Sequence, residues 1–235
     1  MTNLLHFNRR SVALLPFAAA LLAAIPALAE DAAPTATPVV PGTPTVAAAA
    51  AIPVNVTELM ALQPLPDQVL GNALAKVTVV EYASMTCGHC AHFHETTFPA
   101  FKAKYLDTGK VRFMLREYPL DPVAAASFML ARCAGEGKYY GIVDAIFRNQ
   151  KAIITAEKPD VALLGVLKIA GVTQESFEAC LKDQKLYEGV VKVKDGGTKF
   201  GVDSTPTFFI NGVKKSGAIE MAELEKIIEP LLVAQ

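Results

Sequence analysis

The stretch VTVVEYASMTCGHC, residues 77–90, decides the fold. Its first seven residues are rich in β-branched side chains, which predicts a buried strand over 77–83. The strand runs straight into Ser84-Met85-Thr86-Cys87. From Gly88 the pattern predicts a helix to about Tyr105, bent at Pro99 and stopped by Thr108-Gly109. Residues 111–116 form a second strand candidate. The result is strand, helix, strand, with a Cys-x-x-Cys at the first strand-to-helix junction.

Working outward, the character changes after Leu120. Segments 122–133, 138–149, 159–170, 174–180 and 185–199 are all helical candidates, with Thr173 an N-cap ahead of Glu175 and Ser176. Residues 120–199 therefore read as short helices with no strand. Strands return at Thr207-Phe-Phe-Ile210. Asn211-Gly212 is a strong two-residue hairpin signal, so 213–215 is expected to pair back antiparallel. Apolar residues at 221, 224, 227, 228 and 231 mark a closing helix. A βαβ half and a ββα half separated by a helical block make an α/β domain with an insertion. Its two halves are 56–119 and 200–235, and the insertion is 120–199.

The start of the chain reads differently. Arg9-Arg10 precedes an apolar run from Val12 to Ala29, and Ala27-Leu28-Ala29 has the small-x-small pattern of a cleavage site. Residues 1–29 are read as an export signal, with an uncleaved membrane anchor as the alternative; Pro16 and Pro26 weaken a continuous spanning helix. Residues 30–55 are rich in Ala, Pro, Thr and Val and read as a flexible linker. The chain is 52% hydrophobic, 19% charged and nearly neutral at −1. Nothing in this balance suggests a nucleic-acid binder.

Export makes the four cysteines disulfide candidates. The close spacing of Cys87 and Cys90 singles out one pair and leaves Cys133 with Cys180. As a disulfide the second pair would staple two helices of the insertion, worth about 4 kcal/mol by loop entropy; two buried thiols are the alternative.

A cysteine at a helix start sits among free backbone N–H groups, which favour an anion. Cys87 is the expected nucleophile, and Cys90, one turn in, the resolving thiol. His89 between them adds positive charge that stabilises the Cys87 thiolate. A stabilised thiolate favours the dithiol and makes the disulfide oxidising. Cys87, Cys90, His92 and His94 could instead suggest zinc. Positions 92 and 94, however, lie roughly 200° apart around a helix and cannot both join Cys90 on one ion. His92 and His94 are read as surface or groove histidines, and no metal is expected. Phe93 and Met85 could line a groove, with core packing the expected fate.

Glu81-Tyr-Ala-Ser-Met-Thr-Cys87-Gly-His-Cys90 after an apolar strand resembles the DsbA-like thiol:disulfide oxidoreductases of the thioredoxin superfamily. Ser204-Thr205-Pro206-Thr207, roughly 115 residues later and just before a strand, is similar to that family's Thr–cis-Pro element. The similarity covers residues 56–235. It implies a thioredoxin fold with a helical domain inserted between its halves. It implies that Pro206 is cis against the redox pair and that Thr205 offers backbone groups to an extended peptide. It also implies that Glu81 is a buried acid that handles protons for Cys90; an exposed acid at a sheet edge is the alternative. Some DsbA-like proteins of alphaproteobacteria carry a second bridge, which Cys133 and Cys180 resemble. One departure stands out: the family's dipeptide is usually Pro-His, and here it is Gly88-His89, the pair seen in eukaryotic disulfide isomerases.

The resemblance implies a periplasmic dithiol oxidase acting on unfolded or partly folded exported proteins. It would be a monomer, with no cofactor beyond its own Cys87–Cys90 disulfide, and reoxidised by a quinone-linked, DsbB-like membrane partner. The alternatives are an isomerase or reductase with the same site, or a periplasmic metal-binding protein.

Overall fold

A computed structural model describes residues 54–233, apart from residues 62 and 136. The signal expected over 1–29, and the linker as far as residue 53, lie outside the described residues. Helix α1 is Val56–Leu59, and strand β1 is Val69–Gly71. Strand β2, Val77–Ala83, is buried along its whole length. Helix α2, Gly88–His92, leads through a wide π turn, Phe93–Thr97, into α3, Phe98–Phe101, and a second wide turn, Lys102–Leu106. The helix thus passes Pro99 between two widened turns. Phe98 N–H reaches back five residues to Phe93 O. That spacing absorbs Pro99, which has no N–H to give and whose ring presses on the carbonyl four residues earlier.

Strand β3, Val111–Glu117, is followed by α4 (Pro122–Cys133), α5 (Tyr139–Arg148), α6 (Gln150–Ile154), α7 (Pro159–Lys168), α8 (Gln174–Leu181) and α9 (Gln184–Lys199). The start of α8 is a reciprocal cap between Thr173 and Ser176. The chain closes with β4 (Thr207–Ile210), β5 (Val213–Ser216) and α10 (Met221–Val233). Helices α1 and α6 and strand β1 had no sequence signal strong enough to predict them: each has five residues or fewer, too short for a periodic pattern.

The five strands order as β1-β3-β2-β4-β5. Strands β2 and β3 are parallel, and the remaining pairs are antiparallel. The hairpin turn uses Asn211 and Gly212 at φ 45° and 86°. A Cβ on Gly212 would meet Val54 O at 2.9 Å and the Val56 side chain at 2.7 Å, so this position needs glycine for space as well as for conformation.

Alternation along β2 divides the core. Val77, Val79 and Ala83 face the larger cluster, which includes Cys90, Phe93, Phe113 and Phe208. Val80 and Tyr82 face the smaller one, with Leu59 and Phe209. Glu81 shares the parity of the first set and points toward the helix that carries the cysteines. Because β2 lies between β3 and β4, Glu81 is on a central strand and not at an edge.

Candidate active site

Cys87 ends the turn after β2 and is the N-cap of α2, with extended backbone at φ −81° and ψ 119°. Its thiol makes no capping bond to the first turn. Instead Sγ donates to Thr205 O at 3.1 Å, across 118 residues. Thr205–Pro206 is a cis peptide at the entry to β4. The antiparallel register of β4 on β2, with Tyr82 opposite Thr207, brings the Thr205 loop to the end of β2.

The two thiols are unlike. Cys87 is half-buried, and its pKa is pushed down to about 5. The largest cause is hydrogen bonding from Cys90, opposed by partial burial; the Thr205 side chain and the backbone N–H groups of Cys90 and His89 lower it further. The buried Thr205 Oγ1 has no other partner among the described residues, which leaves it free to donate to the thiolate. His89 is exposed, and its backbone N–H is among the groups that lower Cys87. Cys90 is fully buried, and its pKa is pushed well up, first by burial, then by its bond to Cys87 and by the charge of Glu81. Cys87 is thus the thiol favoured to ionise, and Cys90 the one favoured to keep its proton.

Glu81 is fully buried. Its Oε2 bonds His94 Nε2 at 2.8 Å, while Oε1 has no partner among the described residues. His94 stacks on Phe147 at 4.5 Å between ring centres and lies against Phe98. This corrects the reading of His94 as a surface or groove residue, while that of His92 as a surface residue holds. His92 is exposed, but His94 is buried. The signal was present in the spacing: His94 lies four residues after Cys90, on the same helix face, between Phe93 and Phe98. Met85 and Phe93 are both in the core.

Two residues of the helical segment reach the turn. Gln150 Nε2 donates to Met85 O at 2.9 Å and to Cys87 O at 3.0 Å. Asp121, the N-cap of α4, accepts a bond from Thr86 Oγ1. Neither carried a sequence signal, since both act across more than thirty residues. Farther off, Cys133 and Cys180 are joined as a disulfide that ties α4 to α8. Among the described residues, no group of three or more His, Cys, Asp or Glu is arranged to hold a metal ion.

A family model described as thioredoxin matches residues 65–230. Wolbachia pipientis alpha-DsbA1 is 32% identical, with a TM-score of 0.68, over 74% of this chain and 94% of that one. The chain belongs to the DsbA-like branch of the thioredoxin superfamily. Its fold is the thioredoxin fold, as the order of strands and the inserted helices require. Oxidised BdbD from Bacillus subtilis, at 21% identity and a TM-score of 0.65 over 79% of this chain, has the same fold. A Rickettsia bellii protein provisionally named protein-disulfide oxidoreductase is 37% identical over 150 residues. That match spans 63% of this chain and 58% of the relative, so the chain spans less than two thirds of the length of such curated relatives.

Proposed function

We propose that this protein is a thiol:disulfide oxidoreductase that donates its Cys87–Cys90 disulfide to other proteins. The observation that carries the reading is the asymmetry of the pair: a Cys87 thiol held down to about 5, beside a buried Cys90 whose pKa is raised.

In the disulfide form, a substrate thiolate attacks Cys87 Sγ. The Cys87–Cys90 bond breaks, and Cys90 leaves with the electron pair and takes up a proton. The buried Glu81–His94 pair, whose carboxylate acts on Cys90, relays that proton to it from solvent. A second thiolate of the substrate then attacks the substrate sulfur bound to Cys87, forming the substrate disulfide, and Cys87 leaves as a thiolate. The substrate is oxidised by two electrons, and the pair is reduced to a dithiol. A low leaving-group pKa speeds the second step. Thr205, beside the cis Pro206 and next to Cys87, offers its backbone to an extended peptide.

In this reading, residues 1–29 are an export signal and 30–55 a linker. Residues 56–119 and 200–235 form the thioredoxin body, split by the 120–199 insertion. The protein works as a monomer in the periplasm on unfolded or partly folded exported proteins, and a quinone-linked membrane partner of the DsbB kind reoxidises it.

Equilibration with glutathione tests the oxidase reading. A reduction potential well above thioredoxin's, toward the value of about −120 mV held by strong oxidases, is expected. A value near about −270 mV would exclude a donor role and favour a reductase. Refolding of a scrambled-disulfide protein separates an isomerase from an oxidase.

A further inference from the structure

Of the two side chains that reach the Cys87 turn from the helical segment, Asp121 takes the Thr86 hydroxyl and the neutral Gln150 takes the main chain. Gln150 opens α6 and is 6% exposed. A side-chain amide nitrogen carries two hydrogens. Here Nε2 has two acceptors, Met85 O at 2.9 Å and Cys87 O at 3.0 Å. Cys87 O also accepts from Ala91 N–H at 3.1 Å, the first main-chain bond of α2. The carbonyl at the helix start thus has two donors, one from its own helix and one from sixty-three residues away.

Two consequences follow for the sulfur. The clamp fixes the backbone of Met85 and Cys87, and with it the direction in which Sγ leaves the turn, toward Thr205 and the free N–H groups of α2. It also places donors on the negative ends of two carbonyl dipoles of the turn, one of them that of Cys87 itself, which would otherwise oppose a charge on the sulfur. Gln150 does not titrate. The titratable groups near the turn are Cys90 beside the sulfur, His89 on α2 and Asp121, which is engaged by Thr86; Glu81 acts on Cys90.

We infer that Gln150 is a positioning residue for the redox pair: by clamping the Met85 and Cys87 carbonyls, it makes the Cys87–Cys90 disulfide more oxidising than the turn alone would. This deepens the proposed function and rests on Cys87–Cys90 being the exchanging pair.

The test uses the full chain with Gln150→Leu, which keeps the bulk and removes both donors, and Gln150→Glu, whose carboxylate at pH 8 cannot donate. Thiolate absorbance against pH, the equilibrium with glutathione and the melting temperature are read for each. Both variants are expected to stay folded, to move the thiolate midpoint above about 5 and to shift the glutathione equilibrium toward the protein disulfide. The shift for Gln150→Leu is expected to be about three- to tenfold, the scale of one neutral hydrogen bond. A folded Gln150→Leu with an unchanged midpoint and an equilibrium within about twofold of wild type, less than that scale, overturns the proposal.

Should the variants not fold, the wild-type protein supplies the readout. The Gln150 side-chain amide protons are expected to exchange slowly with solvent and to shift between dithiol and disulfide forms; fast exchange with no shift overturns the proposal. A wild-type protein that does not exchange with glutathione at all would instead defeat the proposed function, while the amide measurement still reports on Gln150.

Discussion

Glu81 and His94 are joined in the core by a 2.8 Å bond between Oε2 and Nε2, one from the central strand and the other from the helix that carries both cysteines. The pair sits on the Cys90 side of the sheet, and one edge of His94 lines a cleft of about 340 Å³ shared with Phe98, Tyr140 and Arg148. Glu81→Gln keeps the shape and removes the proton carrier. It should slow disulfide transfer at pH 7 by about 10²-fold, the low end of a general acid–base contribution, with the melting temperature maintained. Stopped-flow exchange with a model peptide reads this; a rate close to wild type would remove Glu81 from the mechanism.

His94→Phe should cost stability, because it leaves a buried carboxylate with neither oxygen bonded. The expected loss is about 1–3 kcal/mol. The same change in a Glu81→Gln background should cost less, and the difference measures the coupling between the two side chains. Urea denaturation of the four proteins in the cycle provides the numbers, and full additivity would mean that the bond contributes nothing.

The Cys87 shift makes the stability of the dithiol form depend on pH. Its folded pKa, about 5, lies below that of an unfolded thiol, near about 8.5. The unfolded chain therefore binds more protons between those values, and stability from Cys87 rises with pH. It is fully present above the unfolded pKa and is lost as pH falls through about 5. The disulfide form has no such contribution. Melting curves of both forms from pH 4 to pH 7.5 should show the dithiol gaining on the disulfide throughout; parallel curves would mean that Cys87 is not a stabilised thiolate.

The second disulfide should be separable from the first. Converting both Cys133 and Cys180 to Ser opens a loop of 47 residues and should cost up to about 4 kcal/mol. Exchange through Cys87 and Cys90 should persist below the lowered melting temperature. Loss of exchange in a folded double variant would show that the two pairs are not divided into catalytic and structural.

Arg132, beside Cys133, reaches the buried Glu117 at 2.6 Å, and Tyr139 donates to the same Glu117 oxygen at 3.2 Å. Arg132→Ala would strand that carboxylate, at a cost of about 3–5 kcal/mol. Adding Glu117→Gln should recover part of the loss in chemical denaturation, since the uncompensated charge is then gone.

Much of this fold is local. The β-branched run of β2, the helix starting at Gly88, the caps of the later helices and the Asn211-Gly212 hairpin depend on neighbours a few residues apart, which is the range over which periodicity and turn chemistry act. The unlike character of the two cysteines is local as well, because one residue is at a helix start and the other a turn inside. Tertiary structure decided the partners. That the inward His94 meets Glu81 depends on where the widened turn at Phe93–Thr97 packs against β2 and α5. Thr205 meets Cys87 only because β4 pairs with β2 in one register. Gln150 reaches the Cys87 carbonyl from a helix of five residues, too short to announce itself. In VTVVEYASMTCGHC the sequence alone placed one sulfur at a helix start and the other a turn inside; the packed sheet and helices determined what holds the first and what serves the second.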